Sequence, residues 1–314
     1  MEVNLKVYRH DPENESAPSY QKYHLDVPES ATVLDALLKI REEEDGTLSF
    51  RCSCRSAICG SCSMRIDHHA KLACKTKVVS LGPEDHEITV EPMGNLPVIK
   101  DLVVNMEPFW AKVRAVDPWL KPSGPEPERE HLVPNERMLE LAEVMNCIMC
   151  GACVSDCTAL AVDKSFLGPA ALAKAYRFVH DPRDGAEQAR LKMLSEPTGV
   201  WDCAHCFQCV EVCPKGVAPM ERIMAMRRLA VESGYTDNNG SRHMLAFAES
   251  IKKSGWLDEV GITVDSFGKF NIPALLSLAP TGLRALLANK MPPLIHHSRP
   301  GAENVKKIFE KLEE

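Results

Sequence analysis

Thirteen cysteines crowded into three short windows constrain this chain more than any other feature of its 314 residues. The windows span 52–74, 147–157 and 203–213, and no cysteine lies outside them. A disulfide scaffold would spread its cysteines more evenly. The N-terminus, MEVNLKVYRHD, has neither the basic n-region nor the apolar h-region that directs a chain to an oxidising compartment. Clustered free thiols therefore predict metal binding.

The second and third windows, CIMCGACVSDC and CAHCFQCVEVC, both read C-x2-C-x2-C-x3-C. In that run three thiols hold one cubane and the fourth ligates the other cluster. Three cysteines spaced by threes converge in a tight turn, whereas the fourth opens the next helix and points away. The pairing is expected to cross: Cys147, Cys150 and Cys153 with Cys213, and Cys157 with the group around Cys203 and Cys209. Such an exchange closes two large loops and couples folding to metal insertion. Pro214 follows Cys213 as the bacterial run expects, but Thr158 follows Cys157.

In the first window Cys54, Cys59 and Cys62, with a distant fourth at Cys74, show the x4 and x2 gaps of a plant-type [2Fe–2S] loop. Small residues such as Gly60 and Ser61 let backbone amides approach the sulfurs. Cys52 is surplus, with a ligand swap as its alternative role. Structural zinc is the competing reading, but it usually takes two separated ligand pairs, and the preceding hairpin and helix match the ferredoxin reading better.

That hairpin is read from apolar alternation at Val3, Leu5 and Val7 and again at Tyr23, Leu25 and Val27. Thr32, with Asp35 three residues on, is placed to cap a helix over ATVLDALLKI. The first cysteine window reads as loop, and HEITVEP supplies a closing strand. Apolar residues at three- and four-residue spacing predict helices over RMLELAEVM, GPAALAKAYRFVH, GAEQARLKMLS and PMERIMAMRRLAVES. Met145, Met149, Met220, Met224 and Met226 are expected in their cores. The fold class is α+β: a ferredoxin-like β-grasp domain over 1–105, a Pro- and charge-rich linker over 106–135, an all-α domain with two cubane sites over 136–240, and a helical extension over 241–314.

Together these residues resemble the iron–sulfur subunit of succinate dehydrogenase and fumarate reductase. The segments SFRCSCRSAICGSC, LPVIKDLVV, GPAALAKAYRF, DPRDG and CVEVCPKG stand in that family's order. The resemblance implies an electron-transfer subunit that makes or breaks no substrate bond, with the [2Fe–2S] centre nearest a flavin. It implies an FAD-containing flavoprotein partner, a membrane anchor and a quinone near the third cluster, on the cytoplasmic face of the cytoplasmic membrane. The family's third centre usually has three cysteines, matching Cys157, Cys203 and Cys209, and Cys206 is an addition. A second [4Fe–4S] cluster held by all four is expected, the alternative being [3Fe–4S] beside an unligated Cys206. TALAVDK replaces the Pro and Trp of a conventional quinone site, and the family's His is displaced by one to His205, a quinone-side candidate. Lys215, beside Cys213, is either a charge that raises the potential of its cluster or a solvated lysine.

The tail PPLIHHSRPGAENVKKIFEKLEE resembles the end of the small iron–sulfur subunit of heterodisulfide reductases. It points to a cysteine-rich, haem-free anchor, and to an alternative role in a heterodisulfide reductase-like or thiol-linked fumarate reductase complex. A net charge of −7 without a basic, aromatic-interleaved stripe excludes nucleic acid as a partner. The apolar stretch from Ile272 is cut by Pro273, Pro280, Gly282 and Arg284, and falls short of the roughly 20 residues a membrane-spanning helix needs.

Overall fold

The computed structural model describes residues 1–14, 17–83, 86–293 and 297–313. The chain forms two compact units, Met1–Met226 and Arg227–Glu314.

In the first unit, β1 (Glu2–Arg9) and β2 (Ser19–Asp26) pair antiparallel with Val3 opposite Leu25 and Leu5 opposite Tyr23, as the alternation predicts. The helix α1 (Val33–Lys39) opens on a capping box in which the Thr32 hydroxyl accepts from Asp35 N at 3.2 Å and the Asp35 carboxylate from Thr32 N at 2.9 Å. It buries Val33, Leu34, Ala36, Leu37 and Leu38 in one core with the sheet.

Two further strands lie inside the window read as loop: β3 (Ser63–Ile66) and β4 (His69–Leu72). Asp67 and His68, both at positive φ, join them in a two-residue turn. Neither residue is a glycine, so the usual hairpin signal is missing. The strand from HEITVEP, β5 (Glu87–Glu91), is central rather than closing. It pairs parallel to β1 and antiparallel to β3, giving the order β2-β1-β5-β3-β4. A small hairpin of β6 (Val98–Lys100) and β7 (Val103–Val104) follows.

The expected linker is largely ordered structure. It contains α2 (Glu107–Ala115), which buries Phe109 and Val113. After it come α3 (Asn135–Met145), α4 (Ala152–Ser155), α5 (Thr158–Val162), α6 (Pro169–Val179), α7 (Glu187–Leu194), α8 (Gln208–Glu211) and α9 (Pro219–Glu232). Helix α6 packs against α2, α3, α4 and α7. The guanidinium of Arg190 on α7 ties the supposed linker down. It donates to the carbonyls of Val116 (3.1 Å), Asp117 (2.8 Å) and Trp119 (2.8 Å) and pairs with Asp184 at 3.0 Å. Residues 122–132 run exposed ahead of α3.

The second unit contains α10 (Asn239–Ser254), α11 (Glu259–Phe267), α12 (Ile272–Ser277), α13 (Ala279–Leu287) and α14 (Ala302–Glu313). Helix α10 packs against α11 and α14. Within the heterodisulfide reductase-like tail, residues 294–296 and 314 lie outside the described residues.

The Arg190–Asp184 pair is almost fully enclosed, so removing one partner leaves a buried charge. Arg190→Met is expected to destabilise the first unit by about 3 kcal/mol or more, read as a lower thermal midpoint. Burial opposes ionisation of Asp184, but hydrogen bonds from Arg190 and from the Lys121 and Ala186 amides outweigh it and hold the carboxyl below its usual range. Its contribution is present above the ordinary carboxylate pKa of about 4 and is lost as pH falls through the lower folded value. Arg190→Met should flatten that acid limb.

Candidate metal centres

The β3–β4 hairpin explains the long gap between Cys62 and Cys74. Cys62 precedes β3, Cys74 follows β4, and Ala73 N donates to Cys62 O at 3.1 Å, so the hairpin closes the two thiols onto each other. The loop before it winds through positive φ at Arg55, Ala57 and Gly60, which turns its amides inward. Cys54 Sγ accepts from the amides of Ser56 (3.4 Å), Ile58 (3.4 Å) and Cys59 (3.3 Å), and Cys74 Sγ accepts from Ala57 N at 3.3 Å. Amides aimed at sulfur stabilise thiolate and tune a cluster. The exposed Cys59 thiol is pulled down to about 6, chiefly by the Ser61 hydroxyl and then by backbone amides. Burial pushes Cys62 up to about 12. Cys52 packs at the margin of the apolar core, and among the described residues it makes none of these sulfur contacts.

Two cavities gather the other eight cysteines across the chain. One is walled by Cys147, Cys150, Cys153 and Cys213, the other by Cys157, Cys203, Cys206 and Cys209. The fourth cysteine of each run thus faces the partner run. Cys153 and Cys209 lie close enough for the charge of one to raise the pKa of the other, so the two cavities adjoin.

Burial raises Cys150 to about 11 and Cys209 to about 12, and also raises Cys153 and Cys157. Buried thiols facing one another resist ionisation, and the positive charge of iron offsets that cost. Backbone amides favour the ionised form of Cys209, to which Met220 supplies one, and of Cys157, to which Ala159 and Leu160 supply theirs. Val217 N donates to Cys213 Sγ at 3.4 Å. Burial opposes ionisation of Cys206, yet hydrogen bonds led by that of the Thr158 hydroxyl, 3.2 Å from its sulfur, bring its pKa below the usual value. Among the described residues no three His, Cys, Asp or Glu side chains converge as a single ion requires. The thiols ring a space, which suits a polynuclear centre better than zinc.

The first window sits directly on the second. A Cβ added at Gly60 would lie 2.7 Å from Cys150 Cβ and 2.9 Å from Cys150 Cα. Strand β4 and the turn between β5 and β6 also grip residues 154–157. Asn95 Nδ2 donates to the carbonyls of Val154 (2.9 Å), Ser155 (3.1 Å) and Cys157 (3.0 Å). Gly94 N donates to Ser155 Oγ at 3.0 Å, and Ala70 N to the Asp156 carboxylate at 2.8 Å. Sequence reasoning missed Asn95, Asp156 and Thr158. None carries a metal-ligand signature, and their partners lie far along the chain.

His205 is exposed and stacks on Phe207, with centroids 5.3 Å apart, at the rim of the third site. Lys215 and Met149 line the second cavity, and Met220 is buried beside the third. Met226 is buried too, but Met145 is 40% exposed, contrary to the expected core role, because it lies on the outer face of α3. A larger cavity of about 480 Å³, lined by Asn95, Phe109, Lys112, Leu160 and Lys164, has no cysteine in its lining but shares Ala170 with the second cavity.

The 2Fe-2S iron-sulfur cluster binding domain family matches residues 4–111, and the 4Fe-4S dicluster domain family matches 143–217. The chain is 40% identical to the fumarate reductase iron-sulfur subunit of Mycobacterium tuberculosis, over 73% of this chain and 92% of that protein. This chain belongs to the iron–sulfur subunits of the succinate dehydrogenase/fumarate reductase family. It is 36% identical to the succinate dehydrogenase iron-sulfur subunit of Paracoccus denitrificans over 73% of this chain and 88% of that one. It is 32% identical to the 8-methylmenaquinol:fumarate reductase iron-sulfur subunit of Wolinella succinogenes over 90% of each. The fold matches a chain of the Mycobacterium smegmatis Sdh1 complex with a TM-score of 0.69 at 25% identity, covering 75% of this chain and 98% of that one.

As a member of this succinate dehydrogenase/fumarate reductase family, the subunit transfers electrons within an oxidoreductase complex that includes flavoprotein and membrane-anchor partners. No helix among the described residues is long and apolar enough to cross a membrane.

The Gly60 contact is testable. Gly60→Ala combines left-handed strain with overpacking against Cys150 and is expected to cost roughly 2–4 kcal/mol. Anaerobic denaturation of the iron-loaded chain measures it, and an unchanged midpoint would show that the two windows do not touch.

Proposed function

We propose that the chain is a three-centre wire between the FAD of a flavoprotein subunit and a quinone at the membrane. The ligands are Cys54, Cys59, Cys62 and Cys74 for [2Fe–2S]; Cys147, Cys150, Cys153 and Cys213 for [4Fe–4S]; and Cys157, Cys203, Cys206 and Cys209 for a second [4Fe–4S]. Iron–sulfur clusters at these positions supply one-electron chemistry. The protein contributes thiolate ligands, amide hydrogen bonds to sulfur and burial, the levers that set each potential. The order along the wire is supported by the Gly60–Cys150 contact at one junction and the Cys153–Cys209 proximity at the other.

The observation that carries the second [4Fe–4S] assignment is Cys206 itself. Its thiol stands in one cavity wall with Cys157, Cys203 and Cys209 and is hydrogen-bonded by Thr158. His205 and Phe207, exposed at that rim, stand on the quinone side. The chain attaches peripherally, through an anchor subunit, to the cytoplasmic face of the cytoplasmic membrane.

The similarity to the 8-methylmenaquinol:fumarate reductase subunit spans 90% of the chain and so runs deep into the C-terminal helices. That breadth supports a menaquinone-type quinone, whereas a cysteine-rich, haem-free anchor rests on the tail resemblance. The rival role in a heterodisulfide reductase-like complex has only the tail resemblance behind it.

Anaerobic preparations should contain about ten iron atoms per chain, against about nine if the third centre is trinuclear. Cys206→Ala should lose about one iron and gain the electron paramagnetic resonance signal of an oxidised trinuclear centre. Nine irons and that signal in the unaltered chain would remove the assignment.

A further inference from the structure

Helices α12 and α13 bury no residue at all. Helix α12 packs only lightly on α11 and α13, and Gly282 on α13 faces open space. Their apolar side chains are nevertheless large and gathered. Leu283, Leu286 and Leu287, at i, i+3 and i+4, share one face of α13 and are 57%, 63% and 79% exposed. Ile272 and Leu276, a turn apart on α12, are 64% and 66% exposed, and Phe270 just before them is 95% exposed. Exposed apolar side chains so concentrated along two consecutive helices mark an interaction surface.

Charge identifies the partner. The chain carries 44 Asp and Glu against 37 Lys and Arg, yet residues 266–302 contain no acid and four bases: Lys269, Arg284, Lys290 and Arg299. Lys269 pairs with Asp265 at 3.3 Å, and Arg299 stacks on Trp256 at 3.6 Å. Arg284 and Lys290 are exposed and have no ion-pair partner among the described residues. Apolar side chains flanked by unneutralised bases, on helices too short and interrupted to span, match the boundary between acyl chains and anionic headgroups.

We infer that the α12–α13 face lies in the interfacial plane of an anionic lipid bilayer, with the apolar side chains entering the acyl boundary and Arg284 and Lys290 meeting the headgroups. This goes beyond attachment through an anchor subunit, because the iron–sulfur subunit itself touches lipid. It does not depend on which cysteine ligates which cluster.

The test is flotation of the anaerobically purified, iron-loaded full chain with phosphatidylglycerol or phosphatidylcholine vesicles. Binding is expected to phosphatidylglycerol at low salt, with much less to phosphatidylcholine and a loss at high salt. Each base near an anionic surface contributes about fivefold, so Arg284→Gln with Lys290→Gln should weaken partitioning roughly thirtyfold. Leu286→Asn with Leu287→Asn should abolish it. Iron content and cluster absorbance should be unchanged in both variants, since these side chains are largely exposed and lie outside the unit that contains the cysteines.

Failure to float with phosphatidylglycerol, or flotation indifferent to both variants, would overturn the inference. Flotation only with vesicles containing the anchor subunit would also overturn it, assigning the face to protein and leaving anchor-mediated attachment intact.

Discussion

The rest of the structure depends on the close approach of Gly60 to the backbone of Cys150. With Cys150 Cα only 2.9 Å from where a Cβ on Gly60 would stand, the first cysteine loop and the second cysteine window share one contact surface. Only a residue without a side chain, held at positive φ, fits there. The hydrogen bonds of Gly94, Asn95 and Ala70 to residues 154–157 fix the same junction from the other side. An electron conductor needs its centres at fixed separations, and this polar clamp makes the ferredoxin-like sheet and the helical half one compact unit.

Packing also decides the chemistry of the sulfurs. Burial drives the thiols of Cys150, Cys153, Cys157 and Cys209 towards the neutral form, although metal ligation needs thiolates. Iron bound by these cysteines would offset that electrostatic cost and release their protons, which would couple the helical half to its cofactors. Amide and hydroxyl donors then differentiate the sites. Cys54 accepts three backbone amides from its own loop, whereas Cys206 leans on a side chain, Thr158, from a distant window.

Local patterns were legible where the causes are local. The alternation of Val3, Leu5 and Val7, the Thr32–Asp35 capping box and the amphipathic run of α6 appear in the structure where the sequence places them. The β3–β4 hairpin was not legible, because its turn uses Asp67 and His68 at positive φ without glycine or asparagine. The role of residues 107–123 was also hidden. Their Pro- and charge-rich composition suggests a linker, but Phe109 and Val113 are buried, and Arg190, some seventy residues away, supplies their carbonyl partners.

By itself the sequence determined which residue type gathers at the sites: twelve of thirteen thiols stand at cluster spacing, in two runs whose fourth cysteine is expected to cross to the other. Tertiary structure alone decided how those thiols are arranged in space. It set Cys62 beside Cys74 by a hairpin, faced Cys206 into the cavity of Cys157, and stacked the three sites through Gly60 and Cys153. The physical reason is range. Ligand spacing and capping act over a few residues, whereas van der Waals contact, burial and long-range hydrogen bonds exist only once distant segments have met.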